Sequence, residues 1–274
     1  MIFFNNKCIG IIFFERNMKK LRDLTVAEVA WPADGHVLLK LRDDEECLPE
    51  IRPGQFVEVR VDGSASTLLR RPISVHFVDR EKKELWLLIH VVGEGTEALS
   101  RLSTGDRVNV LFPLGNGFTE GCSGEHVLLV GGGVGIAPLL EYGKRLSECG
   151  ARVTFLLGGR SAENLLQLDM FRRYGSVCVT TEDGSMGEKG FVTQHSVLNE
   201  GRFNRISVCG PKPMMMAVAR FAKAGGIRCE VSLENMMACG LGACLCCVEK
   251  TVRGNVCVCK EGPVFDINAL TWQI

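Results

Sequence analysis

Between residues 24 and 111 the chain carries six short alternating or apolar runs, at 24–30, 36–41, 56–61, 73–78, 85–91 and 107–111. Turn-forming residues punctuate them at Pro32-Ala33-Asp34-Gly35, Arg52-Pro53-Gly54 and Ser103-Thr104-Gly105-Asp106. A period of two is what a strand with one buried face requires. Six such strands at this spacing predict a small antiparallel β-barrel.

After Gly124 the pattern changes. Residues 127–130, 153–157, 177–180 and 206–209 are near-continuous apolar runs separated by helix-length segments, and 214–223 reads as a further helix before a last run at 228–233. Strands buried on both faces and alternating with helices predict a parallel sheet of an α/β domain. From Glu234 onward the chain is rich in Cys and Gly. So short a segment cannot build a conventional core, so another source of stability is expected there. The expected organisation is an extension at 1–20, a β-barrel domain at 21–122, an α/β domain at 123–230 and a small domain at 231–274. The first twenty residues carry two apolar bursts but no basic start and no run long enough to span a bilayer. They are read as an extension, with Met18 as an alternative start, and the protein is placed in the cytoplasm.

Composition narrows the partners. Lys plus Arg equals Asp plus Glu at 32 each, which removes the electrostatic case for nucleic acid or an anionic membrane. Cysteine is the anomaly: 13 residues, six of them between Cys239 and Cys259. A cluster of this kind points to metal binding rather than a disulfide framework.

Spacing then supplies the chemistry. Cys239-x4-Cys244-x2-Cys247, followed by a further cysteine, is the ligand pattern of a plant-type [2Fe–2S] cluster. The small residues Gly240, Gly242 and Ala243 let backbone N–H groups approach the sulfurs. The register selects Cys247 over Cys246, but leaves Cys257 and Cys259 both open as fourth ligand. Structural zinc is the alternative, although zinc sites favour paired C-x2-C knuckles. Gly131-Gly132-Gly133-Val134-Gly135-Ile136-Ala137-Pro138 follows an apolar strand and opens a helix, as a pyrophosphate-binding turn does. Cys209-Gly210-Pro211 stands at the carboxyl end of another expected parallel strand, where open α/β sheets bind ligands. The second strand ends in Gly158-Gly159-Arg160 and not in the usual ribose-binding carboxylate, so NAD and NADP are not distinguished. In the barrel, Arg71-Pro72-Ile73-Ser74 offers a phosphate partner and a hydroxyl for a flavin, and the backbone N–H groups of Gly95 and Thr96 a further phosphate site. No Ser-His-Asp set or carboxylate pair competes with this redox reading, and no catalytic acid or base is assigned.

In this order the motifs resemble the ferredoxin-reductase superfamily over nearly the whole chain. Arg71–Ser74 looks like its R-x-Y-[ST] flavin motif with Ile73 in the aromatic position, Gly131–Pro138 like its nicotinamide turn, and Cys209-Gly210-Pro211 like its C-G-P element. The stretch from Glu234 to Cys244, closing with Cys259-Lys260-Glu261-Gly262-Pro263-Val264-Phe265, is similar to the dihydroorotate dehydrogenase B electron transfer subunit family. That resemblance implies FAD contacts at Arg71, Pro72, Ile73, Ser74, Leu88, Ile89, His90, Gly95 and Thr96. It implies NAD at Gly131, Gly132, Gly133, Gly135, Cys209, Gly210 and Pro211, and cluster ligands Cys239, Cys244, Cys247 and Cys259. It further implies an FMN-containing catalytic partner that oxidises dihydroorotate, in a heterotetramer of two of each subunit serving pyrimidine synthesis. Electrons would run from FMN through the cluster and FAD to NAD. Leu241, Leu245, Val264 and Phe265 are the expected docking patch. Rival readings are a ferredoxin–NAD(P) reductase-like subunit of another redox complex and a zinc-stabilised nucleotide-binding module.

Overall fold

A computed structural model describes residues 18–64 and 66–274; the expected extension at 1–20 lies outside them as far as residue 17. Lys20 already opens the first strand. The six expected strands form, as β1 (Lys20–Ala33), β2 (His36–Arg42), β3 (Phe56–Val59), β4 (Arg71–Asp79), β5 (Glu84–His90) and β6 (Arg107–Leu114), with a short helix α1 (Glu94–Ser100) between the last two. They close into a barrel in the order β1-β2-β5-β4-β3-β6. β1 is longer than its alternation suggests because it pairs on both sides, with β2 and β6. It runs through Pro32 by way of a register shift between Ala30 and Ala33. A residue without an N–H is accommodated in a strand at such an irregularity. Inside the barrel, Leu24, Val26, Leu39, Val57, Val59, Val75, Leu87 and Val110 make a core with essentially no solvent exposure.

The α/β half contains β7 (His126–Gly132), α2 (Ala137–Glu148), β8 (Arg152–Gly159), α3 (Leu168–Arg172), β9 (Ser176–Thr181), β10 (Glu188–Lys189), α4 (Val197–Glu200), β11 (Arg205–Cys209), α5 (Lys212–Ala224) and β12 (Arg228–Ser232). The sheet order is β10-β9-β8-β7-β11-β12, all parallel, and a last strand from the C-terminal segment adds to β12 antiparallel. The chain winds outward from β7 in both directions, so the strand order reverses between β7 and β11. A crevice opens at the carboxyl ends there.

The C-terminal segment carries a hairpin, β13 (Val248–Thr251) and β14 (Gly254–Cys257), one turn of helix α6 (Val258–Glu261), and β15 (Val264–Asp266). β15 returns to the large sheet as an antiparallel edge, Val231 opposite Phe265. Val264 and Phe265 are thereby buried, and cannot belong to an exposed docking patch as expected; Leu241 and Leu245 are exposed.

Two buried polar contacts join the halves. His76 on β4 has Nδ1 2.9 Å from the Ala137 carbonyl and Nε2 2.6 Å from the Gln167 side-chain amide. Glu141 on α2 accepts from the Val78 N–H at 3.2 Å and pairs with Arg145 at 3.1 Å. A buried polar group is stable only when so partnered, and these two partnerships fix the barrel against the sheet. Among the described residues no helix is long and apolar enough to cross a membrane.

Candidate functional site

Two cavities meet where the barrel leans on the crevice. The larger, about 710 Å³, is lined by Gly132, Gly133, Gly135, Gly210 and Pro211, with Gly158, Gly159, Arg160 and Glu182 farther out. The glycines are required by backbone approach. A Cβ at Gly135 would lie 2.6 Å from the Gly210 backbone, and Gly210 itself has φ of +151°. Gly133, at φ +56°, has nothing within 4 Å of where a Cβ would be, so its backbone faces open space. Such a cradle suits a pyrophosphate approaching main-chain N–H groups. Gly131 and Cys209 do not line the cavity; they sit opposite each other in the β7–β11 ladder beneath it. Cys209 is 1% exposed, and burial pushes its thiol far above the ordinary range. It shapes the floor and carries no exposed nucleophile.

The second cavity, about 310 Å³, gathers Pro72, Ile73 and Ser74 from β4, Leu88, Ile89 and His90 from β5, and Thr96 from α1. β4 and β5 are neighbours in the barrel, which is why residues some twenty positions apart share one wall. Arg71 lies over Gly95, whose Cβ would fall 2.3 Å from the Arg71 Nε. The expected phosphate partner and the expected phosphate loop are thus in contact. Neither Arg71 nor Gly95 lines the cavity itself, but each adjoins a residue that does, Pro72 and Thr96; an apolar slot with a guanidinium next to it fits a flavin with its phosphates.

His90, Val134 and Glu234 line both cavities. His36 and His90 stack with ring centroids 4.5 Å apart, being opposite each other across β2 and β5. Burial, and then the neighbouring His36 ring, hold His90 below the usual imidazole value. Glu234 is open to the cavity but enclosed by protein, and this desolvation pushes its carboxyl up. Neither His36 nor Glu234 was singled out from sequence. Only the cross-strand register reveals the first, and the second lies outside the cysteine spacing, with no local signal of its own.

Beyond Glu234 the cysteine loop begins. Asn235 and Met237 wall the flavin cavity, and Gly240 packs against barrel residues Glu58 and Leu114. Gly240, Gly242 and Leu245 take left-handed backbone conformations, at φ +65°, +81° and +59°, which wrap the chain around its sulfurs. Main-chain N–H groups of Leu241, Gly242 and Cys259 donate to the sulfurs of Cys239, Cys259 and Cys247, at 3.3, 3.1 and 3.3 Å. Burial is opposed at Cys239 by N–H groups of Leu241, Cys244 and Ala243, which hold its thiol down to about 6. Burial and the adjacent Cys247 push Cys259 up to about 12. Cys257, by contrast, acts as a donor, toward the Gly242 carbonyl at 3.8 Å. Cys246 is exposed. Among the described residues no three Cys, His, Asp or Glu converge as a single-ion cage. Sulfurs that accept N–H bonds from a glycine-rich wrap fit a multi-iron cluster.

A nicotinamide-type crevice, a flavin slot in a barrel and a thiolate loop that adjoins the flavin slot define a ferredoxin-reductase-type redox protein extended by an iron–sulfur domain. Comparison with known proteins agrees. Residues 234–271 match the iron–sulfur cluster binding domain of dihydroorotate dehydrogenase B, and residues 129–220 an oxidoreductase NAD-binding domain. The dihydroorotate dehydrogenase B (NAD(+)) electron transfer subunit of Shouchella clausii is 43% identical over 79% of this chain and 85% of its own. That of Fusobacterium nucleatum is 36% identical over 90% and 96%. Among solved structures, that of an NADH-dependent reduced ferredoxin–NADP oxidoreductase superposes with a TM-score of 0.80 at 31% identity, over 91% of this chain and 90% of that one. The chain belongs to the dihydroorotate dehydrogenase B electron transfer subunit family. It is an electron transfer subunit of an oxidoreductase, using an iron–sulfur cluster, a flavin and a nicotinamide cofactor.

Proposed function

We propose that this chain carries electrons between a dihydroorotate-oxidising catalytic subunit and NAD+, by means of a [2Fe–2S] cluster and FAD, in cytoplasmic pyrimidine synthesis. In this reading the partner holds FMN, and two copies of each subunit form a heterotetramer. Residues 21–122 are the FAD unit, 123–230 the NAD unit and 231–274 the cluster unit.

The single observation that carries the proposal is continuity. The two cavities share His90, Val134 and Glu234, and the flavin cavity shares Asn235 and Met237 with the loop that leads to Cys239. When bound, FAD exchanges hydride with a nicotinamide and single electrons with a cluster.

The chain's own residues do the positioning. Arg71, Gly95 and Thr96 hold the flavin phosphates, while Pro72, Ile73, Ser74, Leu88, Ile89 and His90 enclose the ring. Gly131, Gly132, Gly133, Gly135, Cys209, Gly210 and Pro211 shape the nucleotide site. Cys239, Cys244, Cys247 and Cys259 ligate the cluster, with Cys257 left as a thiol by its donor role. Asn116 ties the closing segment to the barrel, its side chain donating to the Lys260 and Glu261 carbonyls at 3.1 and 3.0 Å. Exposed Leu241, Leu245 and Met236 beside the loop offer the partner an apolar contact.

Anaerobic titration with NADH tests the reading. Uptake of about three electrons, two on the flavin and one on the cluster, with bleaching of both chromophores, is expected. A colourless zinc protein indifferent to NADH would sink it.

A further inference from the structure

The nucleotide cavity has an outer end that the glycine turns do not account for. β8 and β9 are parallel, with Gly159 level with Thr181, so the next residues, Arg160 and Glu182, emerge side by side. Backbone bonds lock the two exits together: Glu182 N–H donates to the Gly159 carbonyl at 3.1 Å, and Asp183 N–H to the Arg160 carbonyl at 3.2 Å. The wall beyond them is held by the Thr180 hydroxyl, 2.8 Å from both the Glu188 and Gly190 carbonyls. Both Arg160 and Glu182 line the cavity and are exposed. Neither head group is ion-paired among the described residues. The end of the second strand is where a dinucleotide site usually presents a carboxylate to the ribose. Here that place is taken by a guanidinium, and the carboxylate stands one strand over.

We propose that Glu182 selects NAD(H) over NADP(H), supplying from β9 the ribose-binding carboxylate that β8 lacks. The proposal rests on the reading of this cavity as the nicotinamide nucleotide site. A carboxylate accepts hydrogen bonds from ribose hydroxyls and repels a 2′-phosphate, whereas an unopposed Arg160 would attract that phosphate through a charge-assisted contact. Discrimination of this kind is a difference between two affinities, to which an attractive and a repulsive element can both contribute. Glu182 is both.

The test is calorimetric binding of NAD+ and of NADP+ to the oxidised, cofactor-loaded chain, in which no electron transfer interferes. Glu182→Gln should weaken NAD+, strengthen NADP+ and lower the ratio of their affinities roughly tenfold or more. Adding Arg160→Gln should then remove the gained NADP+ affinity. An unchanged ratio in Glu182→Gln overturns the proposal. Gly135→Val separates the two levels of the claim, since its side chain would collide with the Gly210 backbone. Loss of both nucleotides in that variant upholds the site assignment whatever Glu182 does. Undiminished binding in it would overturn the site and the proposal together.

Discussion

Glu58 offers the sharpest check on the link between barrel and cluster loop. It lies on β3 between Val57 and Val59, which point into the barrel core, so its own side chain points outward. It is nevertheless 0% exposed, because Gly240 and Leu114 cover it. Both carboxylate oxygens lack a hydrogen-bond partner. Burial raises its carboxyl from 4.5 to about 7, against the attraction of Arg70 and with the help of Cys239. A raised value means that the folded state prefers the protonated form. Stability is therefore fully present below the unfolded value near 4.5, and falls as pH rises toward about 7. At about 1.4 kcal/mol for each unit of pKa difference, the loss amounts to roughly 3 kcal/mol, or a melting temperature lower by about 5 °C for a chain of this size. Glu58→Gln removes the titration while keeping the shape. Thermal unfolding of both proteins, loaded with cofactors, should give a difference that grows in favour of the glutamine variant between pH 5 and pH 7.5 and is flat above it. Comparing the two at each pH cancels the acid sensitivity of the cofactors. Parallel curves would refute the reasoning, and with it the claim that the cysteine loop seals this face of the barrel.

Other predictions bear on separate elements. Cys259→Ser should cut bound iron to less than half and abolish the cluster's electron paramagnetic signal, whereas Cys257→Ser should keep both; iron analysis and spectra of the reduced chain decide between them. Leu245→Asp, at an exposed site, should leave the visible spectrum intact and weaken association with the catalytic subunit at least tenfold, read by gel filtration or calorimetry; unchanged association would remove the loop from the docking surface. His76 is held low by burial despite its bonds to Ala137 and Gln167. Its contribution is thus complete above the unfolded value of 6.5 and is lost as pH falls below it. Wild type should lose melting temperature relative to His76→Gln between pH 7 and pH 5, and equal losses in the two would show that the His76 contact does not titrate.

Much of the site was legible because its chemistry is local. Cluster ligation depends on spacing within one loop, and Cys239-x4-Cys244-x2-Cys247 displays that spacing whatever surrounds it. The glycine turn after β7 is equally local, since a tight strand-to-helix turn must carry its glycines in sequence. Cys257 against Cys259 was not settled by spacing, because both fit; in the fold the Gly242 N–H faces the Cys259 sulfur while the Gly242 carbonyl faces Cys257, which is the basis for proposing Cys259. Nor could periodicity show that Val264 and Phe265 face inward, as that depends on β15 pairing with β12.

By itself, then, the chain's pattern of alternating and continuous apolar runs determined six barrel strands, a parallel sheet and a thiolate loop, because period and spacing are set by backbone geometry within a few residues. Which of these touch was decided only by tertiary structure. Alternation makes Glu58 a solvent-facing residue, and the segment nearly two hundred positions later that buries it leaves no mark on its neighbours. The same holds for His36 against His90, for Arg71 against Gly95, and for Glu182 beside Arg160. Each pairing rests on strand order or register, and these emerge when distant segments compete to bury their apolar faces together.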